Sequence, residues 1–213
     1  NGYTGTADTC IALADATGAG DETATNYGND TSLKVEEDNS QSDGQGLIRF
    51  DNIFGNGAGQ IPLGSTIVSA TLSLTTVNGG FADVPNAPGA HRMLVSWDEG
   101  TVTYDTFDTT GTTGMSAGSD YATAADDDAA FALAQGETGT WDVTASVAAW
   151  AAGATNNGWA LIGDTNNGWD GYTSEWGTIA ERPSLSIEYT PIPETSTALL
   201  GLAGLALLSY RRR

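Results

Sequence analysis

The residues most able to do chemistry lie in one polar stretch near the end of the main body, "DTNNGWDGYTSE". Hard oxygen ligands, which Ca²⁺ prefers, are carried there by Asp164, Asn166, Asp170 and Glu175. The stretch is not an EF-hand loop, because Trp169 takes the sixth position, where that loop needs glycine. The pattern therefore predicts structural calcium or, as the alternative, a solvated turn.

The same region carries two tryptophans that could bind a sugar. Trp169 and Trp176 lie among Asn, Asp, Gly and Ser residues, which is typical of a polar loop. A flat indole can stack on the apolar C–H face of a sugar ring while neighbouring amides and carboxylates bind its hydroxyl groups. The two residues predict a glycan platform. The alternative is that both rings fold back and cover one end of the domain.

The sequence contains no complete catalytic motif, which argues against an enzyme. The stretch "GMSAG" at 114–118 matches the G-x-S-x-G pattern of hydrolases, but no hydrophobic strand precedes it. That fold also needs a histidine after the nucleophile, and the only histidine, His91, comes before it. No zinc motif, P-loop or dinucleotide fingerprint is present. We predict a non-catalytic protein and keep a polysaccharide-cleaving enzyme as an alternative.

The charge of the chain limits its partners. The formal net charge is −20, and the fixed cations before the C-terminal arginines are Lys34, Arg49, Arg92 and Arg182. Nucleic acid is excluded as a partner, because phosphate binding needs clustered Lys and Arg. Anionic polysaccharides are disfavoured for the same reason. The single cysteine, Cys10, cannot form an internal disulfide, so stability must come from the core, and bound metal is a further candidate source.

The elements that must position these residues are predicted to be strands. Short apolar stretches alternate with clusters of Gly, Asn, Asp and Thr, which indicates an all-β, jelly-roll-like β-sandwich over residues 1–190. In "IVSATLSL", the alternation places Val68, Ala70, Leu72 and Leu74 on one buried face. Helical spacing in "WDVTASVAAWAAG" predicts one short helix at 145–152, ending at Gly153.

Three further side chains are predicted to be structural. Trp97 and Trp141 lie in apolar, strand-like runs, which favours core packing. Arg49 lies inside the alternating stretch "LIRFD", so an inward guanidinium would need a carboxylate partner. A structural ion pair and a ligand contact are the two alternatives for Arg49.

Several blocks taken in order resemble a known domain family. They are "ADTC…TNYGNDTSLKV", "RFDNI…IPLGSTIVSATLSL", "SWDEGTVTY", "WDVTASVAAWAAGATNNGWAL" and "YTSEW…RPSLSIEYT". Together they look like the DNRLRE domain, which is related to alginate-binding carbohydrate-binding modules. The resemblance implies a secreted, non-catalytic β-sandwich associated with polysaccharides. Trp176 stands where the family often has arginine, and the basic residues expected of an alginate binder are missing.

The C-terminus is a separate hydrophobic segment. A linker at 191–196 precedes the apolar run 197–210, which as a helix would extend about 21 Å, against about 30 Å of bilayer hydrocarbon. Pro193 and Glu194 stand before this run, and Arg211, Arg212 and Arg213 follow it. The arginines predict transient insertion into the inner membrane with the C-terminal end in the cytoplasm.

This tail resembles the PEP-CTERM sorting signal of Gram-negative bacteria. The resemblance covers 192–213 and implies processing by an exosortase, loss of the hydrophobic helix at 197–213, and export to the cell surface or extracellular matrix. The function predicted from all these features is polysaccharide binding by an exported protein. A structural or adhesive matrix protein without specific glycan binding is the main alternative.

Overall fold

The computed structural model describes residues 3–13, 20–36, 44–79, 87–107, 114–128, 133–163 and 168–192. The C-terminal hydrophobic helix, and with it the sorting residues from Pro193 onward, lies outside the described residues. Within the described ranges, no helix combines the length and the apolarity needed to cross a bilayer.

Most of the described structure is antiparallel β-sheet. The strands are β1 (Thr6–Ala12), β2 (Ser32–Val35), β3 (Gly44–Phe50), β4 (Thr66–Thr75), β5 (Gly89–Arg92), β6 (Thr138–Asp142), β7 (Trp159–Ile162), β8 (Trp169–Tyr172) and β9 (Ser184–Thr190). One sheet has the order β1-β3-β7-β5, and a second has the order β6-β4-β9. The β2-β8 pair connects to the second sheet through a bridge between Thr76 and Gly171. This arrangement is consistent with the predicted β-sandwich.

The main core lies between these layers and is rich in tryptophan. Trp141 and Trp169 pack edge to face with ring centroids 6.1 Å apart, and Trp150 and Trp159 lie 4.7 Å apart. All four indoles are fully buried. Because aromatic rings bury large apolar areas, these two pairs contribute much of the hydrophobic stabilisation.

A smaller core covers the opposite face of the four-stranded sheet. Along β3, Ile48 and Phe50 belong to the main core, whereas Leu47 belongs to the smaller one with Met93 and Trp97. Successive side chains of a strand point to opposite faces, so β3 supplies both cores. The sheet is therefore buried on both sides. The prediction of core positions for Trp97 and Trp141 is confirmed.

The alternation predicted for β4 holds over most of the strand and fails at its start. Ala70, Leu72 and Leu74 are buried, but Val68 is 53% exposed. The register with β9 shifts between Ile67 and Ser69. Such a bulge changes which face the preceding residues take, and it explains why Val68 points to solvent.

The predicted helix is present as α2 (Thr144–Ala151), and Gly153 follows it with φ 103°. The prediction of a single helix was wrong. A one-turn helix α1 (Tyr104–Phe107) and a 3-10 helix at Ile179–Glu181 lie in the connections between strands. Loop segments this short carry little helical periodicity, so a pattern search does not detect them.

Arg49 forms the structural ion pair that its position in β3 predicted. Its Nε lies 2.6 Å from Asp51 Oδ1, and its Nη1 donates to the Trp97 carbonyl oxygen at 2.8 Å. The guanidinium carbon also lies 4.7 Å from the centroid of the Trp97 ring. These contacts leave the guanidinium committed to the protein.

Gly158 offers a test of the packing between β3 and β7. Its φ is 76°, and a Cβ there would overlap the Ile48 carbonyl oxygen. Gly136 has the same φ, but a Cβ would meet nothing within 4 Å. We expect Gly136→Ala to cost about 1–2 kcal/mol in the free energy of unfolding through backbone strain, and Gly158→Ala to cost about 3–5 kcal/mol. Urea unfolding measures both, and equal losses would contradict this packing.

Candidate functional site

Trp169 does not lie in an exposed loop. It is the first residue of β8, is 1% exposed, and its Nε1–H donates to Thr76 Oγ1 at 3.0 Å. This buried position does not fit the glycan-binding role predicted for Trp169. The stretch "WDGY" is too short to show alternation, and its Asn, Asp and Gly neighbours suggested a loop.

Trp176 lies at the surface in the segment that follows β8, and its indole is half-buried. Its ring stacks on Tyr172 with centroids 4.3 Å apart and an interplanar angle of 13°. The indole Nε1–H donates to Glu181 Oε2 at 2.7 Å, and Arg182 Nε donates to the Trp176 carbonyl oxygen at 2.6 Å. The ring is thus held in one orientation before any ligand arrives.

The predicted calcium ligands divide into different environments. Asp164 and Asn166 lie outside the described residues. Asp170 is buried on β8, in register with Lys34 of β2. Glu175 lies instead beside two carboxylates from distant parts of the chain. Calcium binding by the four predicted residues stays a prediction.

A carboxylate cluster is formed by Asp8, Glu99 and Glu175. One oxygen from each side chain lies within 4.8 Å of the others. Asp8 comes from β1, Glu99 from the connection after Trp97, and Glu175 from the segment after β8. Three carboxylates at this distance repel one another unless a proton or a cation is shared between them.

The local structure explains why Asp8 is fully buried. Asp8 lies two residues before Cys10, which belongs to the main core, so the alternation of β1 turns both side chains inward. The Ser174 N–H donates to the two Asp8 oxygens at 3.1 and 3.0 Å. The Asp8 N–H donates to Glu99 Oε1 at 2.6 Å. Hydrogen bonds from backbone N–H groups to carboxylate oxygens thus join β1 to both of the other segments.

The electrostatics of the cluster favour protonated carboxyls. Burial raises the pKa of the Asp8 carboxyl to about 8, and the neighbouring charges of Glu175 and Glu99 act in the same direction. The Ser174 N–H opposes this rise. Burial also raises the pKa of Glu99. The cluster can therefore bind a proton, and its hard oxygens are of the type that also bind Ca²⁺.

Asp8 and Glu99 were missed from the sequence, although Asp8 left a signal. In "TADTCIA", Asp8 and Cys10 share one phase of the alternation, which places a carboxylate among inward residues. A buried carboxylate needs a partner, so that pattern could have marked the position. Glu99 left no comparable signal, because its contact spans 91 residues of sequence.

The raised pKa of Asp8 predicts a pH dependence of stability. Its pKa is 3.8 in the unfolded reference and about 8 in the folded protein, so between these values unfolding releases a proton. Stability is then greatest at low pH and falls as the pH rises toward 8. In cation-free buffer we expect a loss on the order of 3 kcal/mol across this window. Urea unfolding of wild type and Asp8→Asn measures it, and the variant should lose most of the slope.

The control is Glu188→Gln on β9, which is exposed and should keep the wild-type slope. Calcium chloride at pH 8 tests whether a cation replaces the proton, since a ligand bound only to the folded state raises the melting temperature. A wild-type protein whose stability rises between pH 4 and pH 8 without cations would contradict the buried, protonated Asp8.

A comparison with known protein families identifies the family of this chain. No curated protein matches the chain significantly. Residues 6–189 match the profile of carbohydrate-binding module family 96, from the first residue of β1 to the penultimate residue of β9. The match spans most of the sequence and includes every described strand. This chain therefore belongs to carbohydrate-binding module family 96.

Proposed function

We propose that this protein is an exported, non-catalytic module that binds extracellular polysaccharide through Trp176. The family assignment over residues 6–189 supports carbohydrate binding. The observation that carries the proposed site is the half-buried Trp176 indole stacked on Tyr172. The finer jelly-roll topology, predicted from the short strands and the turn signals between them, is part of the same proposal.

The Trp176 platform suits a sugar ring because its orientation is fixed. The Tyr172 ring covers one face of the indole, and the hydrogen bond to Glu181 fixes its edge. Binding then needs little further ordering of the side chain, which lowers the entropic cost of association. Glu181 lies at the indole edge, and its second carboxylate oxygen can accept a hydrogen bond from a sugar hydroxyl group.

The carboxylate cluster supports a structural role rather than catalysis. Retaining glycosidases hold two carboxyls about 5–5.5 Å apart on either side of the scissile bond. Asp8 is fully buried, so a polysaccharide cannot reach its oxygens in this conformation. The cluster instead joins three segments of the fold, and structural calcium remains a proposal for it and for the Asp164, Asn166, Asp170 and Glu175 set.

The C-terminal tail is the basis for proposing that the protein is exported. We infer that an exosortase recognises Pro193 and Glu194 while Arg211–Arg213 stay on the cytoplasmic side of the inner membrane. Cleavage then releases the domain at the surface of a Gram-negative cell or into its matrix. The short apolar run and the arginines that follow it support this proposal. The run is shorter than a permanent transmembrane helix needs.

An adhesive matrix protein is the second candidate. Among the described strands, β9 pairs with β4 alone and so forms an edge of its sheet. Its residue Tyr189 is exposed, and unpaired strand edges can add a strand from another chain. Self-association without sugar would favour this candidate.

Substitution of Trp176 tests the proposed glycan site. Trp176→Ala should weaken binding about tenfold or more, because a stacking surface is lost, whereas Trp176→Phe should keep part of the affinity. Tyr189→Ala, which removes an exposed aromatic ring from β9, is the matched control. Pull-down on insoluble cellulose, β-1,3-glucan, mannan and xylan measures binding, and thermal unfolding checks that each variant is folded.

Two further measurements separate the alternatives. Release of reducing ends from the bound polymer would show an enzyme, and concentration-dependent sedimentation without sugar would show self-association. Equal binding by wild type and Trp176→Ala would remove Trp176 from the site. Failure of the wild-type protein to bind any polysaccharide would contradict the proposed function itself.

A further inference from the structure

The imidazole of His91, the single histidine of the chain, is held in one orientation on β5. Its Nδ1 lies 2.9 Å from the carbonyl oxygen of Ala122, and its ring packs edge to face on Tyr121 with centroids 5.1 Å apart. A carbonyl oxygen only accepts hydrogen bonds, so Nδ1 must carry the proton. In the neutral ring, Nε2 therefore presents a lone pair, which is the form of imidazole that binds metal ions.

A carboxylate lies on the same side of β5 as this nitrogen. An antiparallel bridge pairs Ala90 with Asp127, which brings the next residue, Asp128, beside the start of the strand. A Cβ built on Gly89 would lie 3.0 Å from Asp128 Oδ1 and 3.1 Å from His91 Nε2, so these two atoms are at most 6.1 Å apart. They form no hydrogen bond or ion pair with each other, and Nε2 has no hydrogen-bond partner in the described part of the chain. One gap thus separates an imidazole nitrogen from a carboxylate oxygen.

The gap exists because residue 89 is glycine. Gly89 is buried in β5 and does not have a positive φ, so the backbone conformation does not call for glycine there. A side chain would instead press on both polar atoms, at distances shorter than ordinary van der Waals contact. A glycine inside a strand often marks a place where a ligand approaches closely.

The neighbouring aspartates leave Asp128 as the carboxylate that faces the gap. Asp126 Oδ2 accepts the Trp159 Nε1–H at 2.9 Å, and Asp127 Oδ2 accepts the Asp142 N–H at 2.8 Å. Asp128 is exposed, and no hydrogen bond to its side chain is found among the described residues. Three consecutive aspartates also concentrate negative charge here, in a chain of net charge −20, and such a field attracts cations.

We propose that His91 Nε2 and Asp128 Oδ1 bind a divalent transition-metal ion of the class of Zn²⁺ or Ni²⁺, with water in its remaining positions. Imidazole nitrogen suits these ions, whereas Ca²⁺ takes oxygen ligands, so the site differs in chemistry from the carboxylate cluster. A tetrahedral Zn²⁺ holds two such atoms about 3.4 Å apart, which rotation of the exposed Asp128 side chain allows. Arg92 points to the opposite face of β5, because side chains alternate along a strand, so its charge lies away from the gap.

The bound ion joins two segments that are distant in sequence. β5 already meets the segment at 121–128 through backbone hydrogen bonds, among them the one from Ala90 N to Asp127 O at 3.0 Å. Metal ligation adds a side-chain link across the same junction. It stabilises the folded state, because the unfolded chain does not hold the two ligands together. The site uses no residue of the Trp176 platform, so the inference goes beyond polysaccharide binding.

Calorimetric titration of the full chain with zinc chloride tests the site. Excess calcium chloride is present throughout, so that calcium competes for the carboxylate cluster. His91→Gln and Asp128→Asn each remove a ligand and should weaken zinc binding about tenfold or more, since even an outer partner of a metal ligand accounts for that much. Glu188→Gln, which neutralises an exposed carboxylate on β9, is the matched control and should bind zinc as wild type does.

Gly89→Ala tests the gap without removing a ligand. Its added Cβ fills the space between the two ligand atoms, so zinc affinity should fall by a factor similar to that for loss of a ligand. Thermal unfolding in EDTA shows whether each variant is folded. Asp128 is exposed, so Asp128→Asn keeps the test decisive even where Gly89→Ala does not fold.

Nitrogen-15 NMR of the single imidazole identifies the atom that binds. Zinc should shift the Nε2 signal strongly, while Nδ1 keeps its proton and its hydrogen bond to Ala122. Zinc affinity that falls in His91→Gln and Asp128→Asn and is unchanged in Glu188→Gln would support the site. Equal affinity in all of these proteins, or no zinc binding by wild type, would overturn it. Neither result depends on whether the protein binds polysaccharide.

Discussion

The packing of tryptophan between the two layers is the constraint on which the rest of this structure depends. Trp141, Trp150, Trp159 and Trp169 fill the space between the sheets, and Trp97 fills the smaller core on the outer face. Interiors are closely packed, so these rings fix the separation and relative position of the strands. Trp176 is then the tryptophan whose ring lies at the surface.

The same packing makes the position of Asp8 consequential. β1 turns Asp8 inward, and the surrounding fold leaves its carboxyl no contact with solvent. An ionised carboxylate in that position is strongly unfavourable. The Ser174 N–H stabilises it by donating hydrogen bonds, and a proton or a cation shared with Glu99 and Glu175 offsets the repulsion among the three carboxylates. Three segments that are distant in sequence are thereby held together by one polar contact. Ser174 and Glu175 directly precede Trp176, so the cluster also anchors the start of the segment that carries Trp176.

The sequence predicted what depends on local periodicity. Alternation or helical spacing was enough to predict the buried residues of β4 from Ala70 onward, the helix α2 and the core positions of Trp97 and Trp141. The exposure of Val68 did not, because a bulge depends on the partner strand. The burial of Trp169 did not, because four residues between turn-forming neighbours carry too little pattern. The contact of Glu99 with Asp8 spans 91 residues of sequence, so it arises only from tertiary folding.

The single cysteine gives this fold an internal chemical reporter. Cys10 is buried on β1, and burial raises the pKa of its thiol to about 11. The thiolate is the reactive form, so alkylating reagents and oxidants act on Cys10 only when β1 separates from the core. The rate of that modification therefore measures the opening of the sheet edge that carries Asp8. Because the Cys10 thiol is buried, oxidants and reductants in the surroundings do not react with it while the domain stays folded.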